Sequence, residues 1–401
     1  MYIKIVMDSN DLYIYVLPVS GGAIVSHLAL LQEIYLARLK ALDGKKKGYF
    51  SYAPHIVMGS SGGNISSFIG QGSDWTSEGI ERNVEKLNSD LFLKKWVPTQ
   101  FSLIPDIPFF ITTGSLYNKG IGATDLFRKL FTTSTIQRSE IWLGTYDIKN
   151  KRAQFFCNKN QSETYITEPF FNEEQSLYFA LPLKFIDGDL DKLADICIAS
   201  ATIPGIVPSK EIDGVIYADG GVMYPSPLSV LNKEILRIVT GKERVPISKS
   251  YQMEISDEKN VEITYNEKPE NKIKNLRLFY FFPYQPNGLE FEDKKNDIGI
   301  RSYLDSILNV SMIQDRNTGI EILNSLCPEG LETEEFIKTD SDKLGQILKE
   351  LSIRKHFVMC LFPHRNPCVN ITKINGQTIR YEMSKIRLNY GVQVWYSKTF
   401  K

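Results

Sequence analysis

HIVMGSSGGNISSFI, residues 55–69, is the stretch whose reading decides the fold. His55 to Met58 read as a short apolar strand, Gly59 to Asn64 as a sharp turn, and Ile65, Phe68 and Ile69 as the buried side of a helix. The pentapeptide Gly59-Ser60-Ser61-Gly62-Gly63 matches GxSxG in the strand, turn, helix context that a nucleophile elbow demands. Such a turn lifts the Ser61 hydroxyl clear of the backbone, and the small residues Gly59, Gly62 and Gly63 let strand and helix approach closely. Ser61 then sits at a helix N-terminus, where partial positive charge and free amides favour an oxyanion. A glycine-serine turn without chemistry carries the same letters, so the functional reading needs support from the rest of the chain.

The same order recurs on either side. Residues 12–19 (LYIYVLPV) form an apolar strand pattern, Ser20, Gly21 and Gly22 a turn, and Leu28, Leu31, Tyr35, Leu39 and Leu42 a helical spacing. Residues 140–157 read as two strands joined by a turn at 149–151. Leu190, Leu193, Ala194, Cys197 and Ile198 predict a helix that leads into ASATIPGIVP (199–208), a strand pair turning at Asp213-Gly214, and ADGG (218–221). A charged hairpin insertion is expected around 248–274. A strand over 276–282, a helix bearing Leu344, Ile347, Leu348 and Leu351, and a strand over 357–362 follow. This alternation predicts an α/β protein with a mainly parallel sheet covered by helices. The tail reads differently: Asn375-Gly376 is a hairpin signal, and Ile386, Leu388, Tyr390, Val392, Val394 and Tyr396 alternate with mostly polar residues. A division into 1–366 and a C-terminal β extension, 367–401, is therefore expected.

Composition excludes several classes. The 401 residues carry 47 basic and 47 acidic side chains, so the electrostatic term that drives nucleic-acid binding is missing and no nucleic-acid partner is expected. Cys157, Cys197, Cys327, Cys360 and Cys368 are odd in number, scattered and without a CxxC pair, which fits reduced thiols and predicts neither a disulfide framework nor a zinc site. No metal or cofactor is expected. Lys4, Asp8 and Asp11 interrupt the start of the chain, against a signal peptide. The charge-poor stretch from Val97 to Tyr117 is broken by Asp106, Pro98, Pro105 and Pro108, against a membrane-spanning helix. An intracellular protein, soluble or peripheral at membranes, is expected.

An elbow serine needs a base. The histidines are His27, His55, His356 and His364, of which the last two follow the best acid candidate, as a Ser, Asp, His triad in hydrolase order requires. The other option is a carboxylate acting directly. Asp219 follows an apolar strand and meets Gly220 and Gly221, a placement that brings a carboxylate to the edge of a sheet, although Asp-Gly is also an ordinary turn signal.

In combination these features resemble the patatin-like phospholipases and acyl hydrolases. Three occur in that family's order: the glycine loop SGGAIVS (20–26), GSSGG (59–63), and DGG (219–221) preceded by ASATIPGIVP. The resemblance covers roughly residues 12–365. It implies a three-layer α/β/α fold and a Ser-Asp dyad, with Ser61 as nucleophile and Asp219 as general base acting on a phospholipid or other fatty-acyl ester. It also implies an oxyanion hole from the amides of Gly21, Gly22 and Ala23. Departures from the family pattern fall at Ala23, Val25, Ser26, Thr202, Val207 and Pro225. Two alternatives stay open: a Ser-His-Asp esterase of the α/β-hydrolase type using His356 or His364, and a patatin-like shell kept as a non-catalytic binding or structural protein. The aromatic stretch with Trp96, Phe101, Phe109 and Phe110 suits a lid or a surface for peripheral membrane contact. No protein partner is named by the sequence.

Overall fold

In the computed structural model the strands are β1 (Asp11–Leu17), β2 (Ile56–Ser60), β3 (Glu140–Asp147), β4 (Arg152–Cys157), β5 (Lys184–Phe185), β6 (Lys210–Ile212), β7 (Val215–Asp219), β8 (Lys242–Arg244), β9 (Tyr265–Glu267), β10 (Asn275–Phe281), β11 (Leu331–Thr339), β12 (Phe357–Pro363) and β13 (Tyr390–Ser397). The helices are α1 (Ile24–Ala41), α2 (Gly62–Gly72), α3 (Ser77–Lys86), α4 (Leu190–Ala199), α5 (Gly220–Met223), α6 (Pro227–Thr240), α7 (Ile300–Leu326), α8 (Ser341–Leu351) and α9 (Gly376–Arg387), with a 3-10 turn at Gly21–Ala23. The structure describes residues 11–42, 52–86, 139–158, 184–185, 189–202, 209–223, 227–240, 242–244, 265–267, 274–285, 300–365, 367 and 376–398. The aromatic stretch around 96–110, most of the expected hairpin insertion, and Val207, Pro225 and Cys368 lie outside these.

The main sheet runs β11-β13-β12-β10-β1-β2-β3-β4-β5. Its centre, β12-β10-β1-β2-β3, is parallel throughout. Antiparallel strands flank that centre on both sides. Such a sheet is buried on both faces, and β1 shows why its strands read as continuous apolar runs. Leu12, Ile14 and Val16 enter one core cluster with Leu228, Leu231 and Ile235 of α6 and Leu323 of α7. Tyr15 and Leu17 enter the other, with Leu28 and Leu31 of α1, Phe68 of α2 and Leu344 of α8. Helices thus cover both faces, which makes the expected three layers. Cys157, Cys197, Cys327 and Cys360 are buried free thiols.

The C-terminal β appendage is corrected. Residues 376–387 are helical, because Ile379, Met383 and Ile386 recur at helical spacing and are buried against the cluster that holds α1. Only from Tyr390 onward is the alternation a strand, and that strand is not appended: β13 pairs antiparallel with both β11 and β12, inside the main sheet. The sequence reading missed α7 and β11, the latter a charged, largely exposed edge strand of the kind that blunts sheet-to-sheet pairing.

Arg387 secures the end of α9 by donating to Glu33 Oε1 at 2.8 Å, Gln32 Oε1 at 3.3 Å and Glu81 Oε1 at 3.4 Å. Glu33 is buried, and burial raises its carboxyl pKa while Arg387 pulls against that rise. Arg387→Leu removes the cation that hydrogen-bonds this carboxylate and leaves, among positive charges, only the weaker pull of Lys40. Breaking a buried pair costs about 3–5 kcal/mol; with Arg387 partly exposed, a loss of about 2–3 kcal/mol is expected in urea unfolding. A carboxyl with a raised folded pKa loses stability as pH rises, so the deficit should be smaller at pH 5 than at pH 8.

Asp315, fully buried on α7, has no hydrogen-bond partner for either carboxylate oxygen among the described residues, and burial raises its pKa well above the ordinary value. The native state therefore holds a proton that the unfolded chain releases, and stability falls as pH rises. Asp315→Asn removes the ionisation. Its unfolding free energy relative to the parent should move in its favour from pH 5 to pH 8, read in urea unfolding at the two pH values.

Candidate active site

Strand β3 brings the two ends of the site together. Along one edge it pairs with β4 from Trp142 to Asp147. Its other edge pairs with β2 only as far as Ser60 opposite Gly144, where β2 ends. The vacated edge is then taken by β7, which comes from the opposite direction and ends with Asp219 opposite Thr145. The ends of β2 and β7 therefore abut at consecutive positions of one strand, and this brings Ser61 to Asp219, 158 residues away in sequence.

The turn after β2 holds Ser61 at φ 52° and ψ −125°, a conformation L-residues populate sparsely and one that costs on the order of 1–3 kcal/mol. The surroundings over-determine it. Its amide donates to Ser200 Oγ at 2.8 Å, and its carbonyl accepts from the Asn64 amide at 3.0 Å as α2 begins. Ser61 Oγ donates to Asp219 Oδ2 at 2.6 Å. The second carboxylate oxygen, Oδ1, accepts from the Gly221 amide at 2.7 Å, which fixes the rotation of the carboxylate plane. Ser61 and Asp219 are 3% and 2% exposed, so this contact lies in a medium where charge interactions are stronger than in water.

The glycines of the elbow and of DGG sit at close approaches. Gly59 lies against Asn64, Gly62 against Ser20 and Gly21, Gly63 against the carbonyls of Leu17 and Pro18, Gly220 against Gly144, and Gly221 against Val19. In the loop after β1, the left-handed conformation is at Gly21, with φ +49°. Ala23 has φ −83°, which any L-residue adopts, so alanine at that position is unstrained. The Ala23 amide, however, donates to the Ser20 carbonyl at 2.8 Å within the turn, leaving Gly21 and Gly22 as the loop's candidate donors to an oxyanion. Val25 is buried in the core with α1. Thr202 Oγ1 donates to the Ala199 carbonyl at 2.6 Å and closes the end of α4.

Three of the four histidines, His27, His55 and His356, take structural places away from the Ser61–Asp219 contact. His55 and His356 precede β2 and β12, at the opposite end of the sheet from Ser61; the Nδ1 atoms accept from the amides of Tyr13 at 2.9 Å and Leu276 at 3.0 Å. Burial, with Arg277 adding to it, pushes His356 down to about 4. His27 meets Ser66 Oγ at 3.2 Å between α1 and α2, and burial pushes it down to about 3. His364 follows β12 at the correct sheet end, but three strands from β2, about 14 Å away at ordinary strand spacing. Among the described residues, no group of three or more His, Cys, Asp or Glu side chains is arranged to hold a metal ion, and no helix is long and apolar enough to cross a membrane.

The sequence model of patatin-like phospholipases matches residues 19–232, more than half of the chain. The chain belongs to the patatin-like phospholipase family. The matched span begins at the loop after β1 and ends within α6, so it contains the elbow, the 199–202 segment and DGG, and with them Ser61, Ser200 and Asp219. The patatin-like fold accounts for the helices on both faces of the sheet, and the family's activity is lipid acyl hydrolysis. No curated protein matches the chain. Ser200 was the residue overlooked in sequence: it stands inside a segment read only as a loop, and nothing local marks its hydroxyl as a partner of the elbow.

Proposed function

We propose that this patatin-like protein hydrolyses the acyl ester of a phospholipid or lysophospholipid through a Ser61-Asp219 dyad. The observation that carries the reading is the 2.6 Å contact from Ser61 Oγ to Asp219 Oδ2 on a strained elbow. As Oγ bonds to the acyl carbon, Asp219 takes the hydroxyl proton, and the amides of Gly21 and Gly22 are proposed to meet the oxyanion of the tetrahedral intermediate. Collapse breaks the ester bond, and the departing alcohol oxygen leaves with the proton from Asp219. Water then repeats the sequence on the acyl-enzyme, releasing fatty acid and regenerating Ser61.

Two features support a carboxylate base over an imidazole. The Asp219 carboxylate is already within hydrogen-bond reach of Ser61 Oγ, whereas His27, His55 and His356 are engaged in contacts away from it and His364 follows a strand three removed from β2. A fluorophosphonate probe tests the nucleophile directly. The expected result is stoichiometric labelling of Ser61, blocked in Ser61→Ala, together with release of fatty acid from phospholipid vesicles; a folded protein that is not labelled overturns the reading.

A further inference from the structure

The dyad is set by two hydrogen bonds from a single short segment. Ser200 ends α4, and its amide donates to Ile196 O at 2.9 Å while Thr202 donates to Ala199 O at 3.1 Å, so the backbone from 199 to 202 is tied to the helix end. From this fixed base Ser200 Oγ accepts the Ser61 amide at 2.8 Å. Two residues on, the Thr202 carbonyl accepts the Asp219 amide at 3.1 Å. Ser200 also donates to the Gly144 carbonyl at 2.5 Å, and Asn64 Nδ2 reaches that same oxygen at 3.2 Å. Gly144 is the β3 residue at which β2 ends. Ser200 and Thr202 are 0% and 1% exposed.

We propose that Ser200–Thr202 is a clamp that fixes the separation of the nucleophile from its base, with Ser200 as a positioning residue. The sheet alone does not do this. Ser60 and Asp219 are each registered on β3, but Ser61 lies beyond the end of β2, in a conformation that the backbone does not favour on its own. The Ser200 hydroxyl is the side-chain group that grips the main chain of Ser61, at its amide, while the Ser61 carbonyl is held by the Asn64 amide at the start of α2. Because the hydroxyl takes the Ser61 amide as its donor, the Ser61 amide is directed away from substrate and the oxyanion falls to the loop after β1. Without the hydroxyl, the Ser61 amide loses its acceptor, the turn is free to relax toward an ordinary φ, and Oγ drifts from Oδ2. Misplacement of a reacting atom by about 1 Å can cost on the order of 100-fold in rate.

This inference rests on the dyad reading, and the test separates the two. Kinetics on a soluble nitrophenyl ester and the rate of fluorophosphonate labelling are compared for Ser200→Ala, Ser200→Cys and Ser200→Thr, each with its urea unfolding midpoint. Ser200→Ala is expected to lower kcat and the labelling rate by about 10- to 100-fold with KM within about twofold, because the binding surface is untouched. Ser200→Thr keeps the hydroxyl and should recover most of the rate. Ser200→Cys has nearly the same volume but a far weaker hydrogen-bonding group, so it should fall with alanine, and it carries the test if the alanine variant does not fold. A kcat for the alanine or cysteine variant within twofold of the parent overturns the clamp, as does a threonine variant of parental stability that is no faster than alanine. If Ser61→Ala and Asp219→Asn both retain hydrolysis, the dyad reading itself has failed. If those two are inactive while the Ser200 variants keep the parental rate, the clamp alone has failed.

Discussion

Asp219→Asn is expected to lower turnover of a soluble ester by about 10³- to 10⁴-fold, and Ser61→Ala to lower it at least as far. General-base assistance is worth about 10²–10⁴-fold in typical enzymes. Here the upper part of that range is expected because the carboxylate meets the nucleophile directly at 2.6 Å and both side chains are buried. An asparagine keeps the shape and can still accept the Ser61 hydroxyl, but it cannot take its proton. The double variant should be no slower than the worse of the two singles, since groups that act as a unit are not additive. By contrast His356→Ala and His364→Ala should keep most of the parental turnover per folded molecule. His356 is a packing residue at the far end of the sheet, so its loss should appear in stability. A thousandfold fall in kcat for His364→Ala would restore the triad reading and remove the dyad.

Much of the architecture was legible because it rests on local chemistry. The order strand, glycine turn, helix recurs at 12–42 and 55–69, and both were found within a few residues of the observed bounds. The Asp213-Gly214 turn between β6 and β7 was equally visible: both residues take positive φ, where a short polar side chain or none at all is tolerated. What failed was the tail. Its alternation from 386 to 396 runs together the last turn of a helix and the first residues of a strand, and a period-2 pattern has no means of marking that boundary. Nor does alternation say whether a strand hangs off a fold or lies between two others. That depends on β11 and β12, which are supplied by other parts of the chain.

The site divides in the same way. Ser61 and its glycines announce themselves, since a strained turn limits what can surround it. Asp219 carried only a turn-like signature, and its significance lies in the register of β7 on β3, a long-range pairing that no local pattern encodes. Ser200 carried less still. The loop after β1 shows the opposite case, in which sequence pointed to trouble that the backbone does not have. Ala23 departs from a family glycine, yet the residue in the left-handed region is Gly21, two positions earlier. The departure therefore leaves the loop's conformation intact and supplies no argument for a degenerate site.

Gly63→Ala is expected to be the most damaging glycine-to-alanine change among the described residues. A Cβ built on Gly63 lies 1.9 Å from the Leu17 carbonyl oxygen and 2.5 Å from that of Pro18, and both are main-chain atoms that cannot rotate away. Relief requires either that α2 move off β1 or that the loop after β1 be pushed outward. The first opens the core at Phe68 and Ile69; the second carries Gly21 and Gly22 away from the elbow. Overpacking typically costs about 1–3 kcal/mol, and with backbone on both sides of the contact a loss of about 3 kcal/mol or more is expected in urea unfolding. Gly319→Ala on α7 is the control. There a Cβ meets Val358 Cγ1 at 3.2 Å and Leu278 Cδ2 at 3.4 Å, side-chain atoms that can yield, and alanine gains roughly 1 kcal/mol of helix propensity. That variant should unfold within about 1 kcal/mol of the parent. The molecules of Gly63→Ala that do fold should label slowly with a fluorophosphonate, because relief of the clash in either direction disturbs the ground on which Ser61 stands. A Gly63→Ala protein of parental stability and parental labelling rate would mean that the elbow and the loop after β1 are not in contact, and the assignment of Gly21 and Gly22 to the oxyanion would go with it.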